Sequence, residues 1–373
     1  MKILPGLEPV PARFYRCWTV GSILLILLGA GCATPGPDDP YQPVPVGPAA
    51  TSRVVRPTAS VPAQPPLDRS PGWDAPDPAP AFRKPAPAPR PLDEEVMRLQ
   101  IMLDRANISP GCIDGRFGNQ SHVALRAWQK REGLPPTGEM DEAVRARLAG
   151  QADAFTTHTV ASSDAEGLAP VPVGWRAKAQ VDELAHATVL ERLAERYHLT
   201  QRALKELNPS ASWPDPAVGT VLRVPRVNPS PKPLAARIEI HLAGKYLQVF
   251  GYDEKLVAHF PCSIARDKEK RPVGDLHVVN AAAHPNYTFR PELFAEDAEA
   301  ASIRQPLIIP PGPNNPVGVA WLSLDRPGYG LHGTPHPEDI GRTESHGCFR
   351  LANWNARKVL EMVTIGIPVT VYE

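Results

Sequence analysis

The chain has 373 residues, enough for two or three domains, yet 46 of them are prolines, far above the roughly 5% norm, so a large part is extended rather than packed. Forty lysines and arginines balance forty aspartates and glutamates, for a formal net charge of zero. That balance gives no field to attract nucleic acid or an anionic surface.

The N-terminal segment carries scattered bases (Lys2, Arg13, Arg16) and then an apolar run, Val20 to Ala30, shorter than the ~20 residues that span a bilayer. It reads as a secretory signal over residues 1–31. Leu28-Gly-Ala-Gly-Cys32 follows, and it resembles the lipobox of bacterial lipoproteins, which implies lipidation of Cys32 and a periplasmic protein anchored to the outer membrane. Position 29 is Gly where the family prefers leucine, and ordinary cleavage between Cys32 and Ala33 is the alternative. Of the five cysteines, at 17, 32, 112, 262 and 348, three remain after the export segment. An odd number in an exported chain points away from a pure disulfide framework and towards a free thiol.

Residues 32–91 are Pro/Ala-rich and poor in bulky apolar side chains, as expected of an extended linker. At ~3.1 Å per residue in polyproline II, the segment from Cys32 to Leu92 reaches roughly 190 Å at most. Residues 92–150 change character. Val96, Leu99 and Leu103 share one helical face, a Gly-rich turn follows, and two more amphipathic stretches end the block, the last opening at Asp141 with Gly133 and Gly138 in the turns. Leu-Gln, Ile113-Asp-Gly-Arg-Phe-Gly118, Trp128-Gln129 and Thr137-Gly138 in that order resemble the peptidoglycan-binding helical domain, a small three-helix unit.

Residues 151–176 read as a second linker. In 177–227, Leu190, Leu193, Ala194 and Tyr197 mark a helix, Leu204 and Leu207 a second one stopped at Asn208-Pro209, and Thr220 to Val224 a strand. This pattern resembles a LysM module, a βααβ unit that grips glycan strands; its first strand is poorly marked, so a purely structural role stays open. After a short linker at 228–236, residues 237–373 alternate. Strands are expected at Ile238 to Leu242, Tyr246 to Phe250, Leu256 to Ser263, Gly274 to Asn280, Ala320 to Leu324 and Pro368 to Tyr372, with one helix at Asn355 to Met362. The whole is therefore a multidomain α+β chain ending in a mostly β domain.

The chemistry gathers near the end, in Arg342-Thr-Glu-Ser-His-Gly-Cys-Phe-Arg-Leu351. A thiol needs a base or cation beside it to act as a thiolate, and His332, His336 and His346 are candidates for Cys348. Gly333 and Gly347 flank the two reacting groups and allow backbone N–H groups to approach a substrate carbonyl. The three histidines and Cys348 are also a conceivable zinc set, but no HExxH or spaced carboxylate accompanies them, so no metal is expected. Cys112 and Cys262 read as small buried residues.

Gly330-Leu-His-Gly-Thr334, Ser345-His-Gly-Cys-Phe-Arg350 and Gly366-Ile-Pro-Val-Thr-Val371 resemble the L,D-transpeptidase (YkuD-type) catalytic domain, with Arg271-Pro-Val-Gly274 and Pro310-Pro-Gly-Pro-Asn-Asn-Pro-Val-Gly318 standing at two further family turns. The Arg-Pro-Val turn and Ala265-Arg266 depart from the family pattern. The resemblance implies a β-sandwich-like fold, no cofactor, Cys348 as nucleophile and His332 as base. It also implies an oxyanion and substrate site from Ser345, His346, Gly347, Gly333 and Arg350; for Arg350 a structural ion pair is the alternative. The implied reaction is acyl transfer on peptidoglycan stem peptides through a thioester, with release of D-alanine. Cross-linking of 3→3 type, lipoprotein anchoring and hydrolysis all remain open, and a non-catalytic wall-binding lipoprotein is the competing class.

Overall fold

The computed structural model describes residues 91–150, 153–227, 233–265, 268–294, 297–342 and 348–373. The export segment, Cys32 and nearly all of the Pro/Ala-rich stretch lie outside the described residues.

Three helices come first: α1 (Glu94–Arg105), α2 (Asn119–Arg131) and α3 (Glu142–Ala149). Asp93 and Asp141 cap α1 and α3 by accepting from backbone N–H groups of the first turn, as the sequence expects for Asp141. Two fully buried glutamines tie the connecting loops. Gln100 accepts from Asp114 and Gly115 N–H (3.0 and 2.8 Å), and Gln129 accepts from Gly138 N–H (2.7 Å). Gly115 and Gly138 turn with φ of 67° and 75°, and each N–H is satisfied by an amide rather than water. Helix α1 is buried nearly all round. Leu99 and Leu103 pack on α2, while Met97 and Ile101 pack into the next unit.

The next unit begins earlier than its sequence suggests. Strand β1 (Phe155–Thr159) falls within the stretch expected to be a linker, and it pairs antiparallel with β2 (Val221–Pro225). Its Phe-Thr-Thr-His-Thr run lacks the apolar alternation that marks a strand; the partner strand supplies the ladder instead. Between them stand the short helix α4 (Trp175–Lys178), then α5 (Val189–Arg196) and α6 (Gln201–Leu207), the last two capped by Thr188 and Thr200. Trp175 also lies inside the expected linker, yet it stacks on Phe289 with ring centroids 3.9 Å apart. A buried aromatic of this size orders the chain around it.

The remaining residues form β3 (Arg237–His241), β4 (Tyr246–Phe250), β5 (Leu256–Pro261), β6 (Gly274–Ala283), β7 (Tyr287–Phe289), β8 (Leu307–Ile309), β9 (Ala320–Leu324), β10 (Gly330–His332), β11 (Phe349–Arg350), α7 (Asn353–Met362) and β12 (Pro368–Tyr372). Ala235 N–H already bonds to Met362 O, so this domain starts two residues before the expected boundary. Eight strands make one sheet in the order β11-β10-β9-β6-β12-β3-β4-β5. The sandwich-like expectation resolves into a single curled sheet because β6 is ten residues long and serves both halves. Its first half pairs with β12 and its second half with β9, and the register shifts between Val278 and Asn280. Ser263, just past β5, pairs with Arg350 of β11, so the two ends of the sheet meet. The exposed side of β5 is covered by the first unit: Ser109 N–H bonds to His259 O and His259 N–H to Asn107 O (2.8 and 2.9 Å).

Three units thus converge on α7. Asp104 of α1 is fully buried between His198 (3.0 Å) and Lys358 (3.5 Å). Burial works against its charge, but His198 and Lys358 beside it hold its carboxyl well below the usual carboxylate range. His198 stacks on Trp354, and Asn355 donates to Ser109 Oγ (3.0 Å).

Candidate active site

Strands β10 and β11 run parallel, with Leu331 opposite Phe349 and His332 opposite Arg350. Alternation then sorts the side chains. Leu331, Phe349 and Leu351 enter the main core, and His332 and Arg350 take the other face. Cys348 stands immediately before β11, two residues ahead of Arg350. All three are buried: 1% exposed for His332 and Cys348, 9% for Arg350. The expected histidine and arginine are therefore brought together by a three-residue strand and a two-residue strand, with the cysteine immediately before the second.

The imidazole of His332 is oriented on both sides. Its ring lies over Trp321 of β9, centroids 5.5 Å apart, and Nδ1 is 2.6 Å from Gly333 O. A carbonyl can only accept, so Nδ1 carries a proton, the tautomer in which the neutral ring has its basic lone pair on Nε2. The Cys348 thiol donates to Gly328 O at 3.5 Å.

Gly333 has a different duty from the one expected. Its N–H donates to Ala320 O (3.2 Å), so it is not offered to a substrate oxygen. The missing Cβ matters for packing: one built on Gly333 would stand 2.3 Å from Asn353 Oδ1, and one on Gly318 (φ 63°) 2.1 Å from the same atom. Ser345, His346 and Gly347 lie outside the described residues. His336 is exposed on the loop beyond.

Asn353, at the start of α7, was not singled out by the sequence, although it stands three residues after Arg350. It is 1% exposed, and its Oδ1 accepts from Val319 N–H at 3.3 Å. Asn315 holds the preceding loop from inside: its amide donates to Pro310 O (2.7 Å) and accepts from Val317 N–H (2.9 Å).

The other two described cysteines differ. Cys262 is fully buried in the apolar core, and burial pushes its thiol up to about 12 despite Lys245 nearby. Cys112 is half-buried, and burial raises its thiol as well, with Glu338 and Asp114 adding to the effect.

Comparison with known proteins identifies two parts of the chain. Residues 235–371 match the family profile of the L,D-transpeptidase catalytic domain, and residues 93–148 match that of a peptidoglycan binding domain. A Bacillus licheniformis protein named as the L,D-transpeptidase YkuD is 30% identical over 176 residues, 47% of this chain and 87% of its own length. An Escherichia coli K12 protein named as the L,D-transpeptidase YbiS is 31% identical over 181 residues, 48% of this chain and 58% of its own length. The Bacillus subtilis YkuD, so named, is 23% identical over 96% of its length. With residues 235–371 matching the catalytic-domain profile and a relative 30% identical over 87% of its own length, the chain belongs to the L,D-transpeptidase family.

Proposed function

We propose that the chain is a cysteine-dependent L,D-transpeptidase of peptidoglycan stem peptides, with Cys348 as nucleophile and His332 as its base. The observation that carries this reading is that buried His332 stands opposite Arg350, two residues from buried Cys348, with the His332 Nδ1 proton committed to Gly333 O. Nε2 takes the thiol proton, and the thiolate attacks the carbonyl carbon of the third stem residue. The imidazolium then protonates the departing amine, so D-alanine leaves and a thioester to Cys348 remains. An amine of a second stem attacks the thioester, His332 accepts its proton, and an amide forms as the thiolate returns. Water in place of the amine gives a carboxypeptidase, and a lipoprotein lysine gives wall anchoring; we take the 3→3 cross-link as the main product.

With Gly333 N–H engaged, the oxyanion falls to backbone N–H groups of His346, Gly347 and Cys348. Arg350, buried on the same face, offers a guanidinium to the stem-peptide carboxylate. The helical unit and the β1–α5–α6–β2 unit, read as a LysM-like module, keep the catalytic domain on the wall, and Cys32 carries a lipid that tethers the protein at the outer membrane. Among the described residues no helix is long and apolar enough to cross a membrane.

The test is mass spectrometry of disaccharide-tetrapeptides incubated with residues 92–373, wild type beside Cys348→Ala. Dimers that have lost one D-alanine and require Cys348 establish a cross-linking enzyme. Tripeptides alone make it a carboxypeptidase, and unchanged substrate returns the chain to a wall-binding role. For the anchor, Cys32→Ser is expected to move the protein from the membrane to the soluble fraction, and an unchanged membrane fraction refutes lipidation.

A further inference from the structure

Helix α5 carries two carboxylates one turn apart, Glu191 and Glu195, and both reach into the catalytic domain. Glu191 Oε1 accepts from Asn314 Nδ2 (2.6 Å), and Glu195 Oε2 accepts from Asn353 Nδ2 (2.9 Å). Around them the backbone of 184–185 is laced to the loop that leads to β9. Leu184 N–H bonds to Pro311 O, Asn314 N–H to Leu184 O, and Asn314 Nδ2 to Ala185 O (2.8, 2.9 and 2.8 Å). A Cβ on Gly312 would meet Leu184 O at 2.3 Å, so the approach is close enough to need glycine.

The Asn353 amide is fixed by partners that have no choice of role. Glu195 and Pro313 O (3.1 Å) can only accept, so they claim the Nδ2 end. Val319 N–H can only donate, so it claims the Oδ1 end. That oxygen fills the space between Gly318 and Gly333, against which no side-chain carbon would fit. Gly333 in turn presents the carbonyl that holds His332 Nδ1–H. Were the amide to rotate by half a turn, its NH₂ would face the Val319 N–H and press on Gly333, leaving a buried donor unsatisfied. The other Glu195 oxygen lies 3.7 Å from His186 Nε2.

We infer that Glu195 is a positioning residue for the transfer reaction: from the βααβ unit it sets the Asn353 amide, and through Gly333 it sets the orientation and tautomer of His332. The unit is then part of the catalytic machine and not only a wall-reading attachment. This inference rests on the reading of His332 as the base for Cys348.

The test uses the full chain and follows alkylation of the Cys348 peptide by iodoacetamide across pH, with kcat and KM on disaccharide-tetrapeptides alongside. Glu195→Met keeps the length of the side chain and removes the acceptor. It is expected to slow Cys348 alkylation at neutral pH and kcat by about tenfold, with KM nearly unchanged, because a small misplacement of a catalytic group costs that much or more. Its pH profile should move upward, towards that of an unassisted thiol near 8.5. Glu195→Gln, which keeps an oxygen for Asn353 Nδ2, should recover most of the rate. Glu191→Met loosens the same contact without touching Asn353, and should keep the wild-type pH profile even where its melting temperature falls as far.

A Glu195→Met profile superimposed on wild type, while His332→Ala shifts, overturns the inference alone. So does an equal shift in Glu191→Met, or a failure of Glu195→Gln to recover. An unshifted His332→Ala profile removes the base itself and takes the inference with it.

Discussion

Cys262 and Cys348 sit on two segments joined by the Ser263–Arg350 bridge, and both are buried to within 1% of complete, yet their surroundings differ. Cys262 points into the apolar core among Ile240, Leu247 and Phe260, where desolvation pushes its thiol up to about 12. Cys348 lies outside that apolar cluster, two residues before Arg350, and has a carbonyl, Gly328 O, as its acceptor. Burial alone therefore does not make or unmake a nucleophile. The neighbours a thiol meets decide its chemistry.

The largest effect expected from this contrast is loss of turnover in Cys348→Ala, on the order of 10⁴-fold or more, with sacculus binding nearly intact. Loss of binding together with turnover would make Cys348 a structural residue like Cys262. His332→Ala is expected to lower kcat by about 10²- to 10⁴-fold, the usual range for a general base, and to abolish the neutral-pH component of Cys348 alkylation.

The apolar side makes its own prediction through His259, on the strand that leads to Cys262. Burial, with His241 adding to it, pushes its imidazole down to about 3 from an ordinary 6.5. The unfolded chain binds that proton from pH 6.5 downward while the folded chain refuses it until about 3. The contribution is therefore full above 6.5 and falls by about 1.4 kcal/mol per pH unit below it. Urea midpoints of wild type and His259→Asn between pH 7 and pH 5 should show a steeper acid loss in the wild type, and parallel curves would refute the assignment. The smallest effect is expected from Cys262→Ala: about 1 kcal/mol of stability, seen in the melting temperature, with kcat unchanged.

What the sequence made legible follows the same division. Apolar periodicity located α1, α2, α5 and α6, and alternation located β3, β4, β9 and β12, because long elements repeat their burial pattern often enough to be read. Strands β10 and β11, of three and two residues, are too short to carry a period, although they hold His332 and Arg350. Strand β1 is made by its partner rather than by its own residues. Gly333 was legible as a special position but not for its reason, since the reason is an asparagine twenty residues away. The grip of Glu195 on Asn353 spans 158 positions and leaves no local mark at all.

The most direct measurement is to quench the reaction with acid while tetrapeptide substrate is turning over and to map the acylated residue by peptide mass spectrometry. A stem peptide that has lost D-alanine, attached to the Cys348 peptide in wild type and absent in Cys348→Ala, is the predicted result. Product formation with the acyl group on another residue, or with no covalent adduct at any time point, would contradict it.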